Sequence, residues 1–176
     1  MSRRVGQDAR RAHRSTDGQE ASAPEFVLEQ HLFFWFTQVL DRRDRQLAAA
    51  LKLDGLRAPE WRVLATLRSR RRLSMSELAH LTSIDRTTLS RVVERMVRAG
   101  WVMRLTDAND ARVTRLALTA SGARLFARIW PAVWQVNERV VANLPGPAVD
   151  FVRWAVRQMC LSFDADAAAA TSRNMA

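Results

Sequence analysis

The chain has 176 residues, the length of one domain with a single sizeable core, and 48% of them are hydrophobic and 26% charged. These fractions exclude a wholly disordered chain, and the single cysteine, Cys160, excludes an internal disulfide framework. The formal net charge is +10, and nearly every basic residue is an arginine, whose planar fork suits phosphate groups. We therefore expect an acidic partner.

The start of the chain and its apolar runs bear on location. Residues 1–22 are rich in arginine and contain no apolar segment, so we predict a disordered basic tail and no secretory signal. The most apolar run, residues 32–40, falls short of the roughly 18 continuous apolar residues of a membrane span. We expect a cytoplasmic protein without a membrane partner. The three histidines do not have metal-ligand spacing, and we predict no metal and no cofactor.

A long helix over residues 26–52 is the first predicted element, because this stretch has no proline or glycine and repeats apolar residues in steps of three or four. Phe33, Phe34 and Leu40 add apolar surface on other sides of its first half. That is more apolar surface than one neighbouring layer needs in a monomer. We interpret the surplus as a subunit interface.

Three shorter helices are predicted next. Pro59 marks the first turn of one, and Ser74 and Glu77 form the capping box of another, in which each side chain bonds the other residue's backbone amide. Asp85 caps the third helix, and Gly100 ends it where a left-handed residue costs little. The third helix is amphipathic, and its predicted inward residues are Leu89, Val92, Val93, Met96 and Val97.

Residues 101–105 and 113–118 then resemble two strands of a hairpin. A helix capped by Thr119 should run to about residue 143, and a last helix should end near Phe163, leaving residues 164–176 disordered. Two helices followed by a hairpin are typical of a winged helix. We predict a mainly α protein with a small β-hairpin wing, a winged helix-turn-helix with long terminal dimerisation helices. The inward residues of the penultimate helix should be Phe126, Ile129, Val133, Val140 and Leu144.

The two helices at about residues 75–81 and 86–99 have the dimensions of a helix-turn-helix, whose second helix enters the major groove. The first two turns of the second helix carry only cationic and hydroxyl groups on their polar face, which hydrogen-bond base edges and phosphates. A solvated surface is the alternative, but such a surface more often mixes in acidic residues. The predicted DNA-binding residues here are Ser76, Arg86, Thr87, Thr88, Ser90, Arg91 and Arg95.

Basic residues also concentrate in this part of the chain. Between residues 57 and 115 there are 13 basic and six acidic residues, so this third of the chain carries most of the net charge. The charge therefore lies where the helix pattern places DNA.

The order of these motifs resembles the multiple-antibiotic-resistance regulator (MarR) family of bacterial repressors. The similarity covers residues 26–163, through GLRAPEWRVLATL, LSMSELAHLTSIDRTTLSRVVERMVRAGWVMR, the wing DANDAR and LALTASG. It implies a homodimer on double-stranded DNA with a pseudo-palindromic operator, often released by a small ligand. It also implies that Arg112, in the wing element Asp110-Ala111-Arg112, enters the minor groove.

On this resemblance, residues 23–163 form one unit. Residues 57–118 make a DNA-binding lobe, and residues 26–52 and 119–163 make the dimerisation helices. A small aromatic or apolar acid is the predicted effector. Its candidate site rests on the family and on helix phase, and comprises His31, Trp35, Val39, Arg42, Arg43 and Trp61. Aromatic residues at helical spacing are more often core, and that interpretation stays open.

Other functions are weighed against a repressor. No phosphate loop, nucleophile elbow or paired-histidine zinc motif is present in the sequence, so we predict no enzyme and no catalytic residue. An architectural protein without sequence preference is one alternative. A redox sensor that uses Cys160 is another, although a buried core cysteine is the favoured interpretation.

Overall fold

The computed structural model describes residues 26–174 except residues 53, 108, 109 and 111. The helices and strands of this part of the chain are, in order, α1 Leu32–Lys52, α2 Ala58–Arg70, β1 Arg72–Ser74, α3 Met75–Thr82, α4 Arg86–Arg98, β2 Val102–Thr106, β3 Thr114–Leu118, α5 Ala120–Val141 and α6 Gly146–Asn174. None of these helices is long and apolar enough to cross a membrane.

The chain comprises two compact units, residues 1–37 and 38–176. In the first unit a 3-10 turn, Leu28–Gln30, precedes the first residues of α1. Trp35 donates its indole N–H to the carbonyl oxygen of Glu29 over 2.8 Å, which ties this turn to the helix. The predicted basic tail, residues 1–22, lies outside the described residues.

The second unit contains an antiparallel sheet in the order β1-β3-β2. Leu73 lies opposite Leu116 in one strand pair, and Met103 lies opposite Ala117 in the other. Because β2 and β3 form a hairpin directly after α3 and α4, the unit is a winged helix-turn-helix. The predicted fold class, mainly helical with a small hairpin wing, is confirmed.

The strand β1 was not predicted. It has three residues, which is too short for a two-residue alternation to be visible in a sequence, and it ends at Ser74, the cap of α3. The two strands of the wing begin and end within about one residue of the predicted bounds. β1 therefore adds a third strand, which pairs with β3, the second strand of the wing.

The last helix differs from the prediction. α6 continues to Asn174 instead of ending near Phe163, so the prediction of disorder from residue 164 is wrong as far as residue 174. Residues 165–170 contain five alanines, and alanine is the residue that a helix accommodates at least cost. The alanine content of this stretch therefore favours continuation of the helix.

The core of the second unit joins every layer of the winged helix. The apolar face of α4 lies at its centre, and Leu89, Val93 and Met96 are fully buried, as predicted, while Val92 and Val97 are partly buried. Other buried side chains come from the end of α1, from α2, from the strands and from α5, and they include Leu51, Val63, Leu64, Leu67, Val102, Leu116, Leu125 and Ile129.

The inward face of α5 was predicted only in part. Ile129 and Val133 are buried, but Val140 is exposed, and so is Leu144 beyond the helix end. The buried positions of α5 continue to Val136 and no further.

Cys160 is exposed on α6, so the interpretation of a buried core cysteine is wrong for the single chain. The neighbouring residues explain the error. The large apolar residues Phe151, Trp154 and Phe163 of α6 are also exposed, at 63%, 57% and 60%. The apolar pattern of α6 therefore does not reflect a core within one chain.

The start of α5 packs closely against the backbone before β2. Thr119 caps α5 by accepting a hydrogen bond from the amide of Gly122, and its hydroxyl donates to the carbonyl oxygen of Gly100 over 2.6 Å. A Cβ atom at Gly122 would lie 2.1 Å from the carbonyl oxygen of Trp101. Only glycine fits here, which explains the last residue of the Thr-Ala-Ser-Gly motif.

We predict that Gly122→Ala lowers the free energy of unfolding by about 1 to 3 kcal/mol, the usual cost of an overpacked site that must shift the backbone. Urea unfolding at one fixed protein concentration measures this. Gly146→Ala is the matched control, because a Cβ at Gly146 meets nothing within 4 Å. Equal stability of the two variants would contradict the close approach.

Candidate nucleic-acid interface

The helix-turn-helix consists of α3, a short turn and α4. In the capping box of α3, Ser74 donates its amide to Glu77 over 2.7 Å and accepts from the amide of Glu77 over 3.3 Å. Ser83 takes a left-handed conformation in the turn, with φ of 52°. Asp85 accepts from the amide of Thr88 over 2.9 Å and so caps α4 as predicted. This hydrogen bonding lowers the pKa of Asp85, which stays ionised where the helix begins.

The polar face of α4 is exposed along the half predicted to meet DNA. Arg86, Thr87, Thr88 and Arg91 are all exposed, because Leu89 and the other apolar residues hold the opposite face in the core. This placement leaves hydroxyl and guanidinium groups exposed in adjacent turns. Such groups can donate to guanine and phosphate oxygens in a major groove.

Arg86 is also the point where α3 and α4 meet. Its guanidinium donates to the Ser76 hydroxyl over 2.6 Å, and its carbonyl oxygen accepts from the Ser90 hydroxyl over 2.9 Å. The predicted residues Ser76, Arg86 and Ser90 are therefore brought together. Ser90 is half-buried and engaged with the helix backbone, which leaves it less available to a base than Thr87.

Arg95 has a different surrounding from the other predicted DNA-binding residues. Its guanidinium pairs with the Glu60 carboxylate over 2.7 Å and donates to the carbonyl oxygen of Gly55 over 2.8 Å. Glu60 is only 2% exposed, and its other carboxylate oxygen accepts from the amide of Arg57 over 2.6 Å. Removing one partner would leave a buried charge unpaired. Arg95 thus fastens α4 to the start of α2, an arrangement that the sequence pattern did not indicate.

The wing carries Arg112 at its tip. Residues 108, 109 and 111 of the tip lie outside the described residues, so only part of the predicted Asp110-Ala111-Arg112 element is visible. Asp110 accepts from the amide of Arg112 over 2.9 Å, and Arg112 is exposed. The amide of Asp107 donates to the carbonyl oxygen of Val113 over 2.9 Å, which closes the turn.

Next to the turn at its tip, the wing is joined to α3 by Arg115, a residue that sequence reasoning did not single out. The Arg115 guanidinium donates to Asp107 over 2.6 Å and to Glu77 over 2.5 Å. Hydrogen bonding to Asp107 raises the pKa of Arg115, and the Glu77 carboxylate acts in the same direction. We call Glu77, Arg115 and Asp107 the wing clamp. Three separated positions in a sequence carry no spacing signal that would have revealed it.

Positive charge surrounds the exposed face of α4. A cavity of about 300 Å³ lies between the start of α2 and α4 and is lined in part by Arg57, Arg91 and Arg95. A second cavity of similar size is lined by Arg98 and Arg104, on the opposite end of α4 and the first strand of the wing. An anionic backbone would meet guanidinium groups on both sides of this helix.

The predicted effector residues have varied surroundings. His31 and Trp35 belong to the first unit and are exposed. In the second unit, Arg42 donates to the side chain of Gln38 and Arg43 pairs with Asp44, both on α1. The remaining two are Val39, which is exposed, and Trp61, which is buried.

Trp61 instead belongs to an aromatic row between α2 and α5. Its ring stacks on Phe126 at 5.3 Å between centroids, and Phe126 stacks on Trp130 at 5.8 Å. Within the described residues, no group of three or more histidine, cysteine, aspartate or glutamate side chains could hold a metal ion.

Comparison with known proteins agrees with this geometry. Residues 56–114 match the model of the MarR family. The multiple antibiotic resistance protein MarR of Salmonella typhimurium is 31% identical over 122 residues, which are 69% of this chain and 85% of that protein. The transcriptional repressor IacR of Pseudomonas putida is 28% identical over 136 residues, 77% of this chain and 80% of the relative.

Solved structures extend the likeness to three dimensions. A cysteine-to-serine mutant of Escherichia coli MarR complexed with operator DNA superimposes with a TM-score of 0.65 at 26% identity, and the alignment covers 73% of this chain and 92% of that one. The family consists of transcriptional regulators and not of enzymes, as the sequence predicted. The chain, with its winged helix-turn-helix and its exposed arginine-rich α4, belongs to the MarR family of transcriptional regulators.

Proposed function

We propose that this protein is a homodimeric, cytoplasmic repressor that binds a pseudo-palindromic operator through α4 and the wing. One observation carries the proposal: the exposed half of α4 presents Arg86, Thr87 and Arg91 with no acidic residue among them. The complex of the Escherichia coli relative with operator DNA supports it.

The contacts divide into two kinds. Thr87 and Arg91 lie in the first turns of α4, from which a recognition helix reads base edges. Arg112 lies at the wing tip and would add charge and a minor-groove contact. We propose Arg95 as a DNA-binding residue too, but its pairing with Glu60 supports a role in positioning α4.

The exposed apolar surface of the terminal helices supports the dimer. Trp134 on α5 and Phe151, Trp154 and Phe163 on α6 are each about half exposed or more. Exposed apolar surface on this scale marks an interaction site in a soluble protein. A twofold dimer requires its two recognition helices about one DNA turn apart, roughly 34 Å or a multiple of it.

A small aromatic or apolar acid is the effector class that we propose, with the candidate residues of the sequence prediction. The carboxylate would pair with Arg42 or Arg43. To release the operator, such a ligand must bind the other form of the dimer more tightly by a few kcal/mol.

Substitutions in α4 test the recognition of DNA sequence. Arg91→Ala or Thr87→Ala should erase the preference for operator over random DNA, because each removes a side chain that reads a base, at a cost of about 1 to 3 kcal/mol per base. Arg112→Ala should instead weaken binding to both DNAs. Competition binding at fixed salt, with the protein's own promoter region against random DNA, measures both.

Arg124→Ala, which removes an exposed arginine of α5, is the matched control. It should leave the ratio of operator affinity to random-DNA affinity unchanged. If Arg91→Ala kept full affinity and selectivity, α4 would not be the recognition helix. A wild-type protein without at least about 10³-fold selectivity would favour the architectural alternative.

Association is tested on α6. We expect a dimer by sedimentation at micromolar concentration, and Trp154→Glu should shift it towards the monomer by burying a charge in the interface. Gln158→Glu adds the same charge at another exposed position of α6. It indicates how much an added negative charge alone weakens association. A wild-type monomer would refute the dimer.

A ligand screen tests regulation. A panel of aromatic acids, each paired with its uncharged amide, is measured for thermal stabilisation and for loss of operator binding. We expect at least one acid to do both while its amide does neither, because the carboxylate pairs with an arginine. Parallel binding with and without peroxide tests the redox alternative at Cys160. Acids that bind without changing DNA affinity would contradict an effector of this class.

A further inference from the structure

The wing clamp connects two surfaces that must meet DNA together. Arg115 lies on β3, Glu77 in the first turn of α3 and Asp107 directly after β2. The clamp is partly shielded from solvent, since the Asp107 side chain is 15% and the Arg115 side chain 30% exposed. An arginine shared by two carboxylates of different elements has less freedom than a single surface pair.

Further hydrogen bonds, from backbone amides to side-chain carboxylates, lead from the clamp towards the wing tip. One oxygen of Asp107 accepts from Arg115, and the other accepts from the amide of Asp110 over 3.3 Å. Asp110 in turn accepts from the amide of Arg112. At the other end, the Glu77 oxygen that meets Arg115 also accepts from the amide of Ser74. An unbroken set of hydrogen bonds therefore leads from the cap of α3 to Arg112.

We propose that Arg115 and its two carboxylate partners are positioning residues, which hold the wing at a set orientation to the helix-turn-helix so that Arg112 and α4 engage one DNA segment together. This inference rests on the proposed function. None of the three residues needs to touch DNA. Their effect is to order the wing before binding, so that less freedom is given up when the complex forms.

The need for such a clamp follows from the size of the wing. A two-stranded hairpin is marginally stable by itself and requires support from a neighbouring element. Within the described residues, β1 supports β3 beside the base of the wing, but its pairing ends at Arg115. Beyond that residue one more strand pair, Thr106 opposite Thr114, precedes the turn at the tip, and β1 does not reach it. Arg115 therefore stands at the last supported position before the tip.

Simple electrostatics and the clamp predict opposite results for the same substitution. Asp107→Asn removes a negative charge near the DNA, so the long-range field alone would tighten binding. The clamp predicts weaker binding, because in asparagine an NH2 group, which donates, replaces one of the two oxygens that accept from Arg115 and from the amide of Asp110. Glu77→Gln changes the charge in the same way and keeps an acceptor for the α3 cap.

The experiment compares operator affinity of the full chain at two salt concentrations for wild type, Asp107→Asn and Glu77→Gln. Glu94→Gln is the matched control, since Glu94 is exposed on α4 and its replacement changes the charge equally. We expect Asp107→Asn to weaken binding about 2- to 10-fold, the usual cost of ordering one or two side chains, and Glu94→Gln to tighten it. Urea unfolding of each variant checks that the fold is retained.

A second measurement separates positioning from stability. Arg112→Ala is combined with Asp107→Asn and, separately, with Glu77→Gln. If the clamp acts through the wing, Arg112→Ala should cost less in either clamp variant than in wild type, whereas a purely structural role leaves its cost unchanged. Arg115→Lys should lose part of the operator affinity, because one ammonium group cannot reproduce the planar fork of the guanidinium.

Each outcome decides between the alternatives. If Asp107→Asn and Glu77→Gln both bound the operator more tightly, to the same extent as Glu94→Gln, the positioning role would be refuted. The proposed repressor function would still stand. Additive effects with Arg112→Ala would also overturn the positioning role. If wild type does not distinguish operator from random DNA, the proposed function itself has failed. Should Asp107→Asn not fold, Glu77→Gln alone decides the question.

Discussion

The burial of one face of α4 is the constraint on which the candidate interface depends. Leu89, Val93 and Met96 are fully buried at the centre of the core. Because a helix turns once every 3.6 residues, this burial directs Thr87 and Arg91 outward without any contribution from their own contacts. The polar face of α4 is thus oriented by packing. The side chains of this polar face take no part in core packing, so they can contact a ligand.

Arginines with the same chemistry then serve different purposes, depending on their partners. Arg95 and Arg115 are held by carboxylates and fasten α4 and the wing to their neighbours. Arg86 donates to a serine hydroxyl, which leaves its charge uncompensated. A guanidinium paired with a carboxylate contributes little net field, so the count of basic residues overstates what DNA would meet. The partner, more than the residue type, separates a positioning arginine from a contacting one.

The separation of interacting residues along the chain accounts for what the sequence could predict. Local rules place the caps at Ser74, Asp85 and Thr119 and the wing strands, because each depends on residues within a few positions of one another. The ion pairs that fasten α4 to α2 and the wing to α3 join residues far apart in the chain, and no periodicity encodes such contacts. Cys160 was misplaced because free cysteine is usually buried, and Val140 was misplaced for another reason. Helical spacing identifies an apolar face but does not say whether the same chain covers it.

α5 brings these two kinds of apolar face together in one helix. Leu125, Ile129 and Val133 pack into the core of the winged helix, while Trp130 and Trp134 lie on a neighbouring face that is 39% and 49% exposed. Both faces belong to one helix, so a displacement of α5 at one face also moves the other. Asp54, which pairs with Arg128 of α5, precedes Gly55, whose carbonyl oxygen accepts from Arg95 of α4. The helix that carries this exposed face is therefore joined to α4 through the shared core and through this turn.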